Sequence, residues 1–125
     1  MNIGIIGSRR RNTFFDFIAV KRTFLKFLKD QEIPITSVTI VSGGCPQGGD
    51  HFAEQIAKDF NIPTIIFKAE WDKYGKSAGF RRNGIIAANS NILIACRAAD
   101  HTGGTEDTIT KFLNIKGEFG ILIEA

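Results

Sequence analysis

Apolar positions fall into two alternating patterns along the chain. Short continuous blocks run from Asn2 to Gly7, Val38 to Ser42, Thr64 to Lys68, Asn91 to Cys96 and Ile121 to Ile123. Blocks of this length bounded by turn residues predict buried strands. Between them apolar residues recur every three to four positions, which predicts helices with one buried face. The first helix is expected from Thr13 to Asp30, with Phe14, Phe17, Ile18, Phe24, Leu25 and Leu28 on one face. Thr13 and Asp16 have capping-box spacing, with Asp in place of the usual Glu or Gln. The second helix starts at Gly49 or Asp50, buries Phe52, Ala53, Ile56, Ala57 and Phe60, and stops at Asn61. A third is expected from Phe80 to about Asn89 and a fourth from Thr105 to Leu113. Gln31 to Ser37 reads as a connector. Ala69 to Gly79 shows no period and reads as a polar, aromatic loop.

The resulting alternation, β-α-β-α-β-α-β-α-β, predicts an α/β fold. Parallel strands with right-handed crossover helices on both faces satisfy it most simply. The expectation is one domain over residues 1–125: a Rossmann-like three-layer α/β/α sandwich with a mostly parallel five-stranded sheet in the order 3-2-1-4-5. Ligands in such sheets bind beyond the carboxyl ends of the strands, where the strand order reverses. Three loops are expected to meet there: Gly7-Ser8-Arg9, Gly43 to Gly49, and Thr102-Gly103-Gly104-Thr105.

Composition narrows the class. At 43% hydrophobic and 23% charged, the chain is ordinary for a globular domain. Eleven phenylalanines against one Trp and one Tyr point to a core filled by Phe. A net charge of +3 is too small for a non-specific DNA binder. The basic residues are nevertheless uneven: Arg9, Arg10 and Arg11 are consecutive, and Arg81 and Arg82 are adjacent. They read either as solvated surface or as counter-charges to an anionic ligand. Cys45 and Cys96 have no metal-type or redox spacing, and His51 and His101 stand alone, so no metal site is expected. A reduced, cytoplasmic protein fits best. The opening apolar run is too short for a signal peptide, and no run approaches the ~20 apolar residues of a membrane span.

The glycine-rich stretch Ser42-Gly43-Gly44-Cys45-Pro46-Gln47-Gly48-Gly49-Asp50 joins a strand to a helix. Glycines there let backbone approach a ligand, and the N–H groups of the helix's first turn favour an anion. The stretch lacks the Gly-Lys-Ser/Thr of a nucleoside-triphosphatase loop and the G-x-G-x-x-G of a dinucleotide fold. Gly103-Gly104-Thr105 repeats the strand-to-helix pattern, which strengthens the case for a phosphorylated ligand. A bland reading stands beside each element. Thr105, Thr108, Glu106 and Asp107 suffice to cap a helix. Asp50 is equally an N-cap. Trp71 and Tyr74 are either a satellite core or faces for a base. Cys45 has no His or second Cys partner for nucleophilic work.

These residues resemble a family. Gly7-Ser8-Arg9, Ser42-Gly43-Gly44, Gly48-Gly49-Asp50 with Ala53 and Ala57, Trp71-Asp72-Lys73-Tyr74-Gly75-Lys76-Ser77-Ala78-Gly79 with Arg82-Asn83, and Gly103-Gly104-Thr105 occur in that order. The set resembles the small single-domain proteins of the SLOG superfamily, in the YspA and cpYpsA-related group. W-x-x-Y-G-x-x-A-G-x-x-R-N is its most specific part. The superfamily is Rossmann-like and includes DNA-processing protein A and the Lonely Guy phosphoribohydrolases. The resemblance implies nucleotide, nucleotide-sugar or nucleic-acid binding at the named loops, and self-association as a dimer or larger assembly. In the Lonely Guy enzymes an arginine on the third helix, and a glutamate that follows P-G-G-x-G-T, serve N-glycosidic cleavage. The arginine corresponds to Arg82. The glutamate corresponds to Thr108, a departure that leaves Asp107 and Glu106 as the nearest carboxylates.

The sequence thus frames three readings. The leading one is a nucleotide or NAD/ADP-ribose-like ligand-binding module, a sensor or sequestering protein. It uses Gly7, Ser8, Arg9, Ser42, Gly43, Gly44, Gly48, Gly49, Asp50, Trp71, Tyr74, Arg82, Asn83, Gly103, Gly104 and Thr105. It requires no cofactor, beyond magnesium that a phosphate ligand brings with it. The second is a nucleoside-monophosphate or nucleotide-sugar N-glycosidase with Arg82, Asp107 and Glu106 as catalytic residues. The third is nucleic-acid binding through Arg9, Arg10, Arg11, Arg81 and Arg82, with steep salt dependence.

Overall fold

The computed structural model describes residues 1–45 and 47–125; Pro46, in the glycine-rich loop, lies outside the described residues. Five strands, β1 (Asn2–Gly7), β2 (Thr39–Ser42), β3 (Thr64–Ile66), β4 (Ile92–Cys96) and β5 (Ile121–Glu124), form one all-parallel sheet in the order β3-β2-β1-β4-β5. The expected Rossmann-like order is observed, with β1 at the centre. The helices are α1 (Phe14–Asp30), α2 (Gly49–Phe60), α3 (Trp71–Tyr74), α4 (Ala78–Asn89) and α5 (Gly104–Lys116).

Alternation along the central strands sends side chains into two cores. Ile3 and Ile5 of β1, Ile40 of β2, and Ile94 and Cys96 of β4 pack with Phe17, Val20 and Phe24 of α1 and Phe52, Ala53 and Ile56 of α2. Ile6, Val41, Leu93 and Ala95 face the other way, onto Ile86 and Ala87 of α4 and Ile109 and Phe112 of α5. Strands buried on both faces read as continuous apolar blocks, which is why β1 and β4 stand out in the sequence.

Helix starts follow two kinds of chemistry. α1 carries the full capping box: Thr13 Oγ1 accepts the Asp16 N–H at 3.1 Å, and the Asp16 carboxylate accepts the Thr13 N–H at 3.1 Å. α2 and α5 start at glycine N-caps, Gly48 and Gly103, with no side-chain cap. Neither Asp50 nor Thr105 is the N-cap that the bland alternative allowed, although Asp50, Glu106 and Asp107 do lie in first turns. Asp50 is already the second residue of α2, and Thr105 the second of α5.

The stretch from Ala69 to Gly79 departs from a plain loop. Its short segments give no periodic signal, yet α3 and a 3-10 turn (Gly75–Ser77) lead into α4, which begins at Ala78 rather than Phe80. β3 ends at Ile66, two residues short of the expected strand, and α5 continues to Lys116.

Candidate functional site

A cleft of about 300 Å³ opens beyond the carboxyl ends of β1 and β4, where the strand order reverses. Its lining includes Gly7, Ser8, Arg9 and Arg10 after β1, Cys45 and Asp50 after β2, Arg82 and Asn83 of α4, and Thr102 to Thr105 and Thr108 at the start of α5. Loops far apart in sequence meet here because β1 and β4 are direct neighbours through Ile6↔Ala95 and Gly7↔Cys96.

The floor is set by a backbone contact. A Cβ on Gly49 would lie 2.1 Å from the Ile6 carbonyl carbon and 2.2 Å from the Gly7 nitrogen. Only glycine lets α2 start directly on the end of β1. Asn12 secures the same junction by accepting the Gly48 N–H through Oδ1 at 2.8 Å.

Asp50 follows, with the residue only 8% exposed. Its backbone carbonyl accepts the Ser42 hydroxyl at 3.2 Å, and its Oδ2 accepts the Cys45 N–H at 3.2 Å. Burial pushes its pKa up; the loop N–H groups of Cys45 and Gly43 and the nearby Arg82 charge work against that rise. Arg82 is fixed from behind, Nη1 donating to the Gly43 carbonyl at 2.9 Å and Nε to Asn83 Oδ1 at 3.0 Å. Asn83 in turn donates through Nδ2 to the Gly104 carbonyl at 3.3 Å and to Asp107 at 3.1 Å. Among the described residues no carboxylate forms an ion pair with Arg9 or Arg82.

The three consecutive arginines do three different things. Arg9 is exposed and lines the cleft. Arg10 also lines it, and bridges to the β4–α5 loop: Nη1 and Nη2 meet the Asp100 carboxylate at 2.6 and 2.8 Å, and Nη2 also donates to the Thr102 hydroxyl at 2.8 Å. Arg10 and Thr102 hold Asp100 well below the usual carboxylate range. Arg11 serves the fold, donating to Asp16, the Arg97 carbonyl and the Ala125 carbonyl.

Of the residues singled out by sequence, Gly7, Ser8, Arg9, Asp50, Arg82, Asn83, Gly103, Gly104 and Thr105 line this cleft. Ser42, Gly43, Gly44, Gly48 and Gly49 stand behind it as support: the Ser42 hydroxyl accepts the Gly44 N–H at 3.3 Å, and a Cβ on Gly48 would meet the Ser8 carbonyl. Trp71 and Tyr74 do not line it. Trp71 is 57% exposed and its ring edge packs over Gly79; Tyr74 lies under the Arg81 guanidinium, 4.3 Å from the ring centre. Asp107 and Glu106 do not line it either. Asp107 is bound by Lys111 at 2.8 Å and by Asn83. Glu106 is bound by Arg97 at 2.7 Å, which lowers its pKa and also ties Arg97 toward Glu124 of β5. Arg10, Cys45, Thr102 and Thr108 line the cleft as well, although the leading sequence reading did not count them among its ligand-binding residues. Thr108 lines the cleft and donates its hydroxyl to the Gly104 carbonyl at 3.2 Å.

Among the described residues no group of three or more His, Cys, Asp or Glu side chains is placed to hold a metal ion. Among the described residues no helix is long and apolar enough to cross a membrane. No protein-family model matches the chain, and searches of curated proteins and of solved structures find no match either.

Proposed function

We propose that the protein binds a nucleotide or a nucleotide-derived molecule in this cleft, with its phosphate at the start of α5 and its counter-charges on Arg9 and Arg82. One observation carries the reading: a glycine-led helix N-terminus without a side-chain cap shares the cleft with two arginines that form no ion pair among the described residues. Uncapped first-turn N–H groups and guanidinium groups are complementary to a phosphate. The cleft volume is at the small end for an organic ligand site, about 300 to 1,000 Å³, which favours one nucleotide unit over a larger molecule. Magnesium, where it takes part, would arrive on the phosphate. The catalytic roles considered for Asp107 and Glu106 draw no support, because both carboxylates are paired outside the cleft.

A thermal-shift panel of nucleoside mono- and diphosphates and ADP-ribose tests this. A ligand at 100 times its Kd stabilises by about 2.7 kcal/mol, which raises Tm by about 10 °C in a domain of this size. Arg82→Ala and Arg9→Ala should each remove most of the rise. No shift with any of these ligands at millimolar concentration would overturn the proposal.

A further inference from the structure

Asp50 is the one carboxylate lining the cleft among the described residues, and a site built only for phosphate would exclude it. It is buried, and Ser42 and Cys45 hold it in place. Gly43 separates it from Arg82. A Cβ on Gly43 would lie 2.7 Å from Arg82 Nη1 and 2.8 Å from Asp50 Oδ2, so guanidinium and carboxylate press against the same small patch of backbone. The two form no ion pair within 4.0 Å. The Gly43 carbonyl and Asn83 instead position Arg82, and the loop N–H of Cys45 positions Asp50.

A strong donor and a strong acceptor therefore sit side by side at one corner of the cleft, each fixed from behind. A phosphate oxygen there would satisfy Arg82 and be repelled by Asp50. An apolar group would leave both unsatisfied. A hydroxyl satisfies both, because it accepts from the guanidinium while donating to the carboxylate. We infer that Asp50 is a specificity-determining residue of this cleft and that, with Arg82, it reads the hydroxyls of a phosphorylated sugar, selecting a ribonucleotide over its deoxy counterparts. This inference rests on the nucleotide reading above. In it the phosphate occupies the Gly103–Thr105 end with Arg9 as its direct counter-charge, Arg82 acts on the phosphate only through its charge while it meets the sugar, and the sugar lies between that end and α2.

The test is calorimetric titration of the full chain with AMP, 2′-deoxy-AMP, 2′,3′-dideoxy-AMP and inorganic phosphate. A hydrogen bond to a charged group changes affinity by about ten- to a hundredfold. AMP is expected to bind at least about tenfold more tightly than dideoxy-AMP. In Asp50→Asn, which keeps an acceptor for the Cys45 N–H, that gap should shrink to about threefold or less, while phosphate affinity holds or rises because a negative charge is gone. Circular dichroism melts of Asp50→Asn confirm that the domain is folded. Equal wild-type binding of AMP and dideoxy-AMP would overturn the inference and leave the nucleotide reading standing, as would a gap that persists in folded Asp50→Asn or Asp50→Ala. Binding of none of the nucleotides would overturn both.

Discussion

Replacing Gly49 with alanine tests the central packing argument directly. The added methyl carbon would lie 2.1 Å from the Ile6 carbonyl carbon, 2.2 Å from the Gly7 nitrogen and 2.4 Å from the Ile6 oxygen. Ordinary contact begins near 3.4 Å, so β1 and the start of α2 must separate by about 1.3 Å (3.4 − 2.1). All three atoms are backbone of the central strand, pinned to β4 through Ile6↔Ala95 and Gly7↔Cys96, so no side chain can rotate aside. Overpacking costs about 1–3 kcal/mol where side chains can adjust; here the upper figure, about 3 kcal/mol, is the appropriate one. An unfolding entropy of about 2.1 cal/mol/K per residue gives about 0.26 kcal/mol/K for this chain, so Tm should fall by about 11 °C. Gly84→Ala is the control. Gly84 lies inside α4 and its methyl would meet only Lys111 Cδ, at an ordinary 3.8 Å, so the change should leave Tm unchanged or raise it, by up to about 4 °C, through helix propensity. Thermal melts of both variants decide the matter. Gly49→Ala melting no lower than Gly84→Ala would refute the reasoning.

Two further predictions concern titrating groups. Cys96 is fully buried and burial pushes its thiol up to about 11, whereas Cys45 is half-buried in the cleft; a thiol reagent at mild alkaline pH should therefore modify one cysteine in the native protein and both in denaturant, with Cys45→Ser abolishing the native reaction, and native modification of both would contradict the burial. Glu106 and Asp16 have lowered pKa values, through Arg97 for the first and the Thr13 and Arg11 contacts for the second. The stability they add is present above the ordinary values of 4.5 and 3.8 and is lost as pH falls below them. Asp50, raised by burial, acts in the opposite sense and favours the fold as it protonates. Tm should thus drop as pH falls below about 4.5, and Arg97→Met should flatten that drop, because Glu106 then loses its partner; an unchanged slope in Arg97→Met would remove Glu106 from the account.

The frame of the protein is legible in its sequence because the central strands are buried on both faces. Ile3, Ile5, Ile6 and Ile92 to Cys96 have no polar alternation to confuse with a helix, and the strand order follows from the crossovers. The Thr13–Asp16 cap is local chemistry and reads directly. The site is only partly legible, for reasons that are equally specific. Glycines mark where backbones approach, but Gly49 approaches a strand rather than a ligand. Arg10 meets Asp100 across 90 positions, a pairing that no local pattern announces. Asp107 is one position from Thr108, about 100° around a helix, and that angle is enough to take it out of the cleft and onto Lys111. Trp71 and Tyr74 show in sequence as aromatic residues near a binding loop, but not the direction in which their rings face.

The position of β1 has a consequence for how the protein is made. The strand synthesised first is the one flanked on both sides, and its two neighbours lie at very different distances along the chain: Thr39 to Val41 on one side, Ile92 to Cys96 on the other. A growing chain can dock β2 against it early. Its other edge, with Ile5 to Gly7 ready to pair, has no partner until Ile92 to Cys96 have emerged. During that interval the half-sheet presents an open apolar edge, and the far wall of the cleft, from Thr102 to Thr108, does not exist. A ligand of the proposed kind would therefore not assist the early steps of assembly; it would reward only the last one, when β4 closes against β1 and the switch point comes into being.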